Sequence, residues 1–107
     1  MIMSHSIFFR QPDARRREEF KILLKGKYLL IERIVSHGQA TAPGKWLCEK
    51  RAEWVMVLKG RARLEFKGAR KKVALKAGDY LFIPARTYHR VDWTHPKQKT
   101  VWLAVYC

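Results

Sequence analysis

Acidic residues are scarce in this chain. Of 107 residues only 9 are aspartate or glutamate, against 23 lysines and arginines, which gives a formal net charge of +14. Such a field attracts polyanions and repels cations in bulk solution. The basic residues cluster at Arg15-Arg16-Arg17, Lys50-Arg51 and Arg70-Lys71-Lys72, and the others are scattered. Lys59, Arg61, Arg63 and Lys67 alternate with Ala62, Leu64 and Phe66, the pattern of a solvated sheet face rather than a nucleic-acid groove. A basic nucleic-acid-binding module therefore rests on net charge alone. Cysteine is nearly absent: Cys48 and Cys107 make no disulfide framework. Two reduced thiols in a cytoplasmic protein are the expectation, with Cys107 exposed and inert. No apolar run approaches the ~20 residues of a membrane-spanning helix. The early Ile7-Phe8-Phe9 patch has neither a basic lead nor a small-residue cleavage site, which argues against a secretory signal. Phosphate loops, serine or cysteine triads and zinc-finger spacings are also missing.

What is present is a globular composition, 48% hydrophobic and 12% aromatic, at a length suited to one domain. Residues 1–11 are weakly patterned and read as an arm. Asp13 can cap a short helix running to about Leu24, with Phe20, Leu23 and Leu24 at helical spacing and Gly26 as its stop. The expectation is an arm with a short helix over 1–26 and a β domain over 27–107. From Lys27 onward the hydrophobic period is two. Strands are expected at Tyr28 to Val35, Lys45 to Glu49, Glu53 to Leu58, Arg61 to Lys67, Lys71 to Lys76, Tyr80 to Ile83, His89 to Trp93 and Thr100 to Tyr106. Many short strands punctuated by Gly and Pro indicate an all-β sandwich or closed jelly roll.

The stretch from Gly78 to His89 organises the rest. Gly78-Asp79 is a turn signal, Tyr80 to Ile83 a β-prone run, and Pro84 ends it by removing a backbone donor. His89 then opens a strand on which 89, 91 and 93 share one face. Here the chain resembles the cupin superfamily. The second motif of that family is a glycine, five residues, Pro-x-Gly, two residues, a histidine, three residues and an asparagine. Gly78, Pro84 and His89 fall in its register. The first motif ends in a glutamate, six residues and a glycine, and Glu53 to Gly60 fits it. The resemblance covers roughly residues 28 to 106. It implies a cupin jelly-roll barrel of the small single-domain type, and commonly a homodimer.

The resemblance also implies a metal site made of two histidines and the glutamate of the first motif with the histidine of the second. Only Glu53 and His89 match. A four-residue gap before the glutamate puts the missing histidine pair at Trp46 and Cys48, and a three-residue gap puts it at Leu47 and Glu49. Cys48 and Glu49 are nonetheless competent ligands. Cys48, Glu53 and His89 would suit zinc, manganese or iron with one position open. The competing reading makes Cys48 a small buried apolar residue and pairs His89 with Glu53 in a metal-free pocket.

Strand alternation supplies the pocket walls: Val55 beside Glu53, Trp46 beside Cys48, and Val91 and Trp93 beside His89. Arg86 stands where the motif has glycine, so its turn must avoid positive φ or accept strain. At the mouth of the pocket Arg86 could hold an anionic ligand. Trp93 stands where the motif has asparagine, which would make the cavity smaller and greasier. Outward-facing Trp54, Met56 and Leu58 need cover, and a homodimer is the sharper explanation. The leading reading is a small-molecule-binding cupin with a divalent metal as an option. A metal-dependent isomerase or dioxygenase is the alternative.

Overall fold

The computed structural model describes residues 1–107, all strand and loop. Eight strands follow in order: β1 (Glu19–Lys25), β2 (Leu30–Ser36), β3 (Glu53–Lys59), β4 (Arg61–Phe66), β5 (Val73–Lys76), β6 (Tyr80–Ile83), β7 (His89–Thr94) and β8 (Thr100–Tyr106). They form two antiparallel sheets, β1-β2-β8-β3-β6 and β5-β4-β7, so the chain is an all-β jelly roll. The expected N-terminal helix is absent. Residues 19–25 pair with β2 instead, and a bulge between Ile22 and Leu24 disturbs the alternation. That bulge runs three apolar residues together, which is why the segment mimics helical spacing. Gly26 closes the hairpin, its N–H donating to the Leu29 carbonyl at 2.7 Å.

β3 shows how the core is built. Glu53, Val55 and Val57 are buried, while Trp54, Met56 and Leu58 on the opposite face are half-buried. From β8, Trp102 and Ala104 join Val55 and Val57, and Ala62, Leu64 and Leu75 meet them from the second sheet. Burying side chains of this size stabilises the fold by roughly 1.5–3 kcal/mol each. The β3–β4 turn leaves no freedom at Gly60. It holds φ 89°, and a Cβ there would lie 2.6 Å from the Lys99 carbonyl oxygen and 2.7 Å from Thr100 Cα.

The outer face of the large sheet is divided. At one end Ala14 of the arm packs on Val35, Val101 and Leu58. Arg33, 1% exposed, anchors the arm from beneath. Its guanidinium donates to the carbonyls of Phe9 at 2.7 Å and Ile7 at 3.1 Å, and pairs with Glu19 at 2.5 Å. Only its Nε lacks a partner. At the other end an apolar row crosses all five strands, Leu24–Ile31–Val105–Trp54–Phe82, each residue directly opposite the next. Leu24 and Phe82 are more than half exposed, and no other part of the chain is strapped across them. Trp54 stacks obliquely on Tyr80, with ring centroids 5.4 Å apart.

Candidate ligand site

Glu53 opens β3 on its inner face, opposite Ile83 and Tyr106. His89 opens β7 in the other sheet, held between Phe66 of β4 and an isolated bridge to Leu47. The two bonds of that bridge are 2.7 and 3.0 Å, so the imidazole leaves a backbone fixed on both sides. Its Nδ1 lies 2.8 Å from the Thr87 carbonyl oxygen. A carbonyl only accepts, so Nδ1 carries a proton, and in the neutral ring Nε2 presents a lone pair. Nε2 faces the Glu53 carboxylate at 3.9 Å, beyond hydrogen-bond reach.

Between the sheets lies a cavity of about 390 Å³. Ile34, Val55, Leu64, Ile83, Val91 and Trp102 make its apolar walls, and Glu18, Glu49, Glu53, His89 and Tyr106 supply polar groups. Neither lysine nor arginine lines it. Burial pushes the Glu53 carboxyl up from 4.5 to about 7, the negative charges of Glu49 and Glu32 push the same way, and the Tyr106 hydroxyl opposes them by offering a hydrogen bond. Tyr106 is itself raised well above the usual phenol range, by burial first and then by the charge of Glu53. At the far end Trp102 Nε1 donates to the Ser36 hydroxyl at 3.1 Å, and that hydroxyl donates to Glu18. A carboxyl that titrates near neutrality beside a bare imidazole nitrogen can move a proton at working pH.

Several expected site residues lie elsewhere. Val55, Val91 and Glu49 do line the cavity. Cys48 does not: it is exposed, and Trp46 is likewise outside the cavity wall. The Leu47–His89 bridge decides this register, because it points Leu47 and Glu49 inward and turns 46 and 48 away. The three-residue gap is the one realised. Trp93 also faces out. A bulge in β7 pairs Leu64 with Val91 but Arg63 with Trp93, so the alternation of 89, 91 and 93 breaks after 91. Trp93 packs near His95 on the outer side instead, at 5.8 Å between centroids. Arg86 is exposed in its turn and takes φ 60°, accepting the strain that glycine would avoid. Glu18, Phe20, Trp102 and Tyr106 are cavity residues that sequence reasoning missed. The alternation Thr100, Trp102, Ala104, Tyr106 carried the signal for two of them. Glu18 and Phe20 were hidden by the helical reading of 13–24.

The donors do not fit a metal ion. Glu53 and His89 are the near pair, and no group of three or more His, Cys, Asp or Glu side chains is arranged to hold one. Even an open catalytic site takes three protein ligands.

An antiparallel jelly roll enclosing an apolar cavity, with a glutamate and a histidine facing each other from the two sheets, defines the class of protein. The cupin domain model matches residues 33–106, and the chain belongs to the cupin family. A proposed mannose-6-phosphate isomerase from Ralstonia eutropha JMP134 is similar along its whole length: 42% identity, TM-score 0.94, with 99% of this chain and 98% of that one covered. A cupin superfamily protein from Desulfitobacterium hafniense DCB-2 shares the fold at 16% identity and TM-score 0.69, covering 84% and 76% of the two chains. A Rhizobium leguminosarum protein of unknown function does so at 15% identity and TM-score 0.72, over 99% and 96%. No match was found among functionally curated proteins.

Proposed function

We propose that the protein is a small-molecule-binding cupin whose ligand occupies the cavity between the sheets. One observation carries this reading: Glu53 and His89, both buried, face each other across 3.9 Å in a largely apolar-walled space of about 390 Å³. Both groups open on to the cavity, where a ligand can partner them. The test uses metal-free protein with ¹⁵N-labelled tryptophan. A small-molecule library should shift the Trp102 indole resonance and raise the melting temperature. A library that leaves that resonance untouched sinks the reading.

The second reading is an isomerase, favoured by the near-neutral Glu53 beside Nε2 of His89, a pair suited to taking a proton from one carbon and returning it to another. The similarity to a proposed mannose-6-phosphate isomerase points the same way. The cavity is poorly suited to a phosphate, since its polar lining includes three carboxylates and no lysine or arginine. Conversion of mannose 6-phosphate to the ketose, lost in Glu53→Gln, would establish the isomerase over the binding module. Zinc, manganese or iron remains an optional cofactor to be tested by calorimetry on chelator-treated protein. Saturable uptake would mean that the cavity rearranges to bring a third donor, such as Glu49, beside Glu53 and His89.

We further propose a homodimer joined through the row from Leu24 to Phe82. The unpaired Cys48 and Cys107 support a reducing compartment such as the cytoplasm. No helix is long and apolar enough to cross a membrane.

A further inference from the structure

We infer that the ligand carries a cationic nitrogen, an ammonium or guanidinium group on a small apolar frame, seated against Glu49, Glu53 and the bare Nε2 of His89. This rests on the cavity being the ligand site and adds the chemistry of what enters it.

Nδ1 of His89 is committed to the Thr87 carbonyl, so the neutral imidazole offers the cavity an acceptor and no donor. His89 is only 4% exposed, and no donor reaches Nε2 from within the chain. The Glu53 and Glu49 carboxylates only accept when ionised. The Tyr106 hydroxyl is a donor in the lining, and it acts on Glu53. Glu18 takes the Ser36 hydroxyl, and Thr41 Oγ1 accepts from the Val91 amide at 3.0 Å. Once Glu53 is ionised, acceptors therefore outnumber donors at this end, whose only O–H groups are those of Tyr106 and Thr41.

Three kinds of ligand can be weighed against that set. A carboxylate or phosphate brings more acceptors and a like charge, and no lysine or arginine lines the cavity to receive it. A neutral alcohol brings one donor per hydroxyl. An ammonium brings three donors and the opposite charge, and a guanidinium brings five in a planar fork. The net charge of +14 does not reverse the choice. Surface charges are screened over about 8 Å at physiological salt, whereas the cavity carboxylates touch the ligand. Of the nine acidic residues, Glu18, Glu49 and Glu53 line this one space, and Glu32 lies close enough to act on Glu53. The apolar walls, Trp102 among them, suit the frame that bears the cation.

Three probes of matched size test this: 2-phenylethylammonium, 2-phenylethanol and 3-phenylpropanoate, titrated at pH 8 with a chelator present and read on the Trp102 indole resonance, assigned with Trp102→Phe. The ammonium should bind about tenfold more tightly than the alcohol, and the carboxylate most weakly. Glu49→Gln should weaken the ammonium by more than it weakens the alcohol, removing much of the ammonium's lead. That variant sits at the exposed rim and keeps the core intact. Equal binding of all three overturns the charge preference while the cavity stands as the ligand site. Preference for the alcohol or carboxylate does the same. Failure of every probe to move the Trp102 resonance, with the wider library also silent, overturns both. Binding that vanishes with chelator would show a metal doing the recognition, and the inference would fall.

Discussion

The large sheet buries one charge on each face, and the two are treated differently. On the outer face Arg33, 1% exposed, is met by the carbonyls of Ile7 and Phe9 and by Glu19. On the inner face Glu53, 9% exposed, has an imidazole nitrogen 3.9 Å away and two further glutamates acting against it. Both are removed from water, which is costly for any ion. Arg33 is compensated by fixed groups of the same chain, and the compensation fastens the arm to the sheet. Glu53 is undercompensated, and its carboxyl responds by titrating near neutrality. A buried charge with its partners in place is architecture; one left short of partners beside a cavity marks a site.

The largest effect should come from the satisfied charge. Arg33→Ala removes the anchor and strands the carbonyls and Glu19 it served, at a cost of about 3 kcal/mol. Urea denaturation should show it, the melting temperature should drop by roughly 15 °C, and limited proteolysis should cut residues 1–18 first. Wild-type stability with an uncut arm would mean that Arg33 anchors nothing.

Glu53→Gln should do the opposite. The carboxyl ordinarily titrates at 4.5 and is raised to about 7 in the fold. Between those values the folded state keeps a proton that the unfolded state has lost, so stability falls as pH rises from 4.5 to 7. Glutamine has no proton to lose. The variant should match wild type near pH 4 and exceed it at pH 8 by on the order of 3 kcal/mol. A difference that is flat with pH would place Glu53 among ordinary solvated carboxyls, and the contrast with Arg33 would collapse.

The uncovered end of the outer face gives the next effect. Phe82→Arg puts a charge into the exposed end of the apolar row without entering the core. If the row is a self-association surface, sedimentation should show the two-chain species at least about tenfold weaker, with the monomer's fold unchanged. A wild-type protein that stays one chain at every concentration would return the row to plain surface.

Two smaller changes lie outside both charges. Arg86→Gly relieves a φ of 60° and should stabilise by about 0.5–1 kcal/mol in denaturant melts. A loss would mean that the Arg86 side chain outweighs its backbone strain. Cys48→Ser should alter stability by less than about 0.5 kcal/mol and leave probe binding in the cavity as it was. Weakened binding would bring Cys48 into a site whose lining now leaves it out.

Sequence alone was enough for whatever depends on local alternation and turn chemistry. The period of two along Glu53 to Leu58 put Glu53, Val55 and Val57 inward, as β3 has them. Gly78, Pro84 and His89 bounded β6 and opened β7, so the two central side chains of the site were legible before any coordinates. Tertiary structure decided the rest, because strand register and bulges belong to pairs of strands. Residues 45–49 alternate equally well either way, and only the Leu47–His89 bridge turns Glu49 in and Cys48 out. The bulge opposite Arg63 and Leu64 ejects Trp93, and the bulge in β1 disguised a strand as a helix. Pairing with β2 overruled the helical spacing of Phe20, Leu23 and Leu24, since an open sheet edge offers hydrogen bonds that a short isolated helix cannot match. Arg33 and Glu53 look alike in sequence, each a charge in a β-prone run. Which one found its partners was settled by the arm folding over one face and the second sheet standing off from the other.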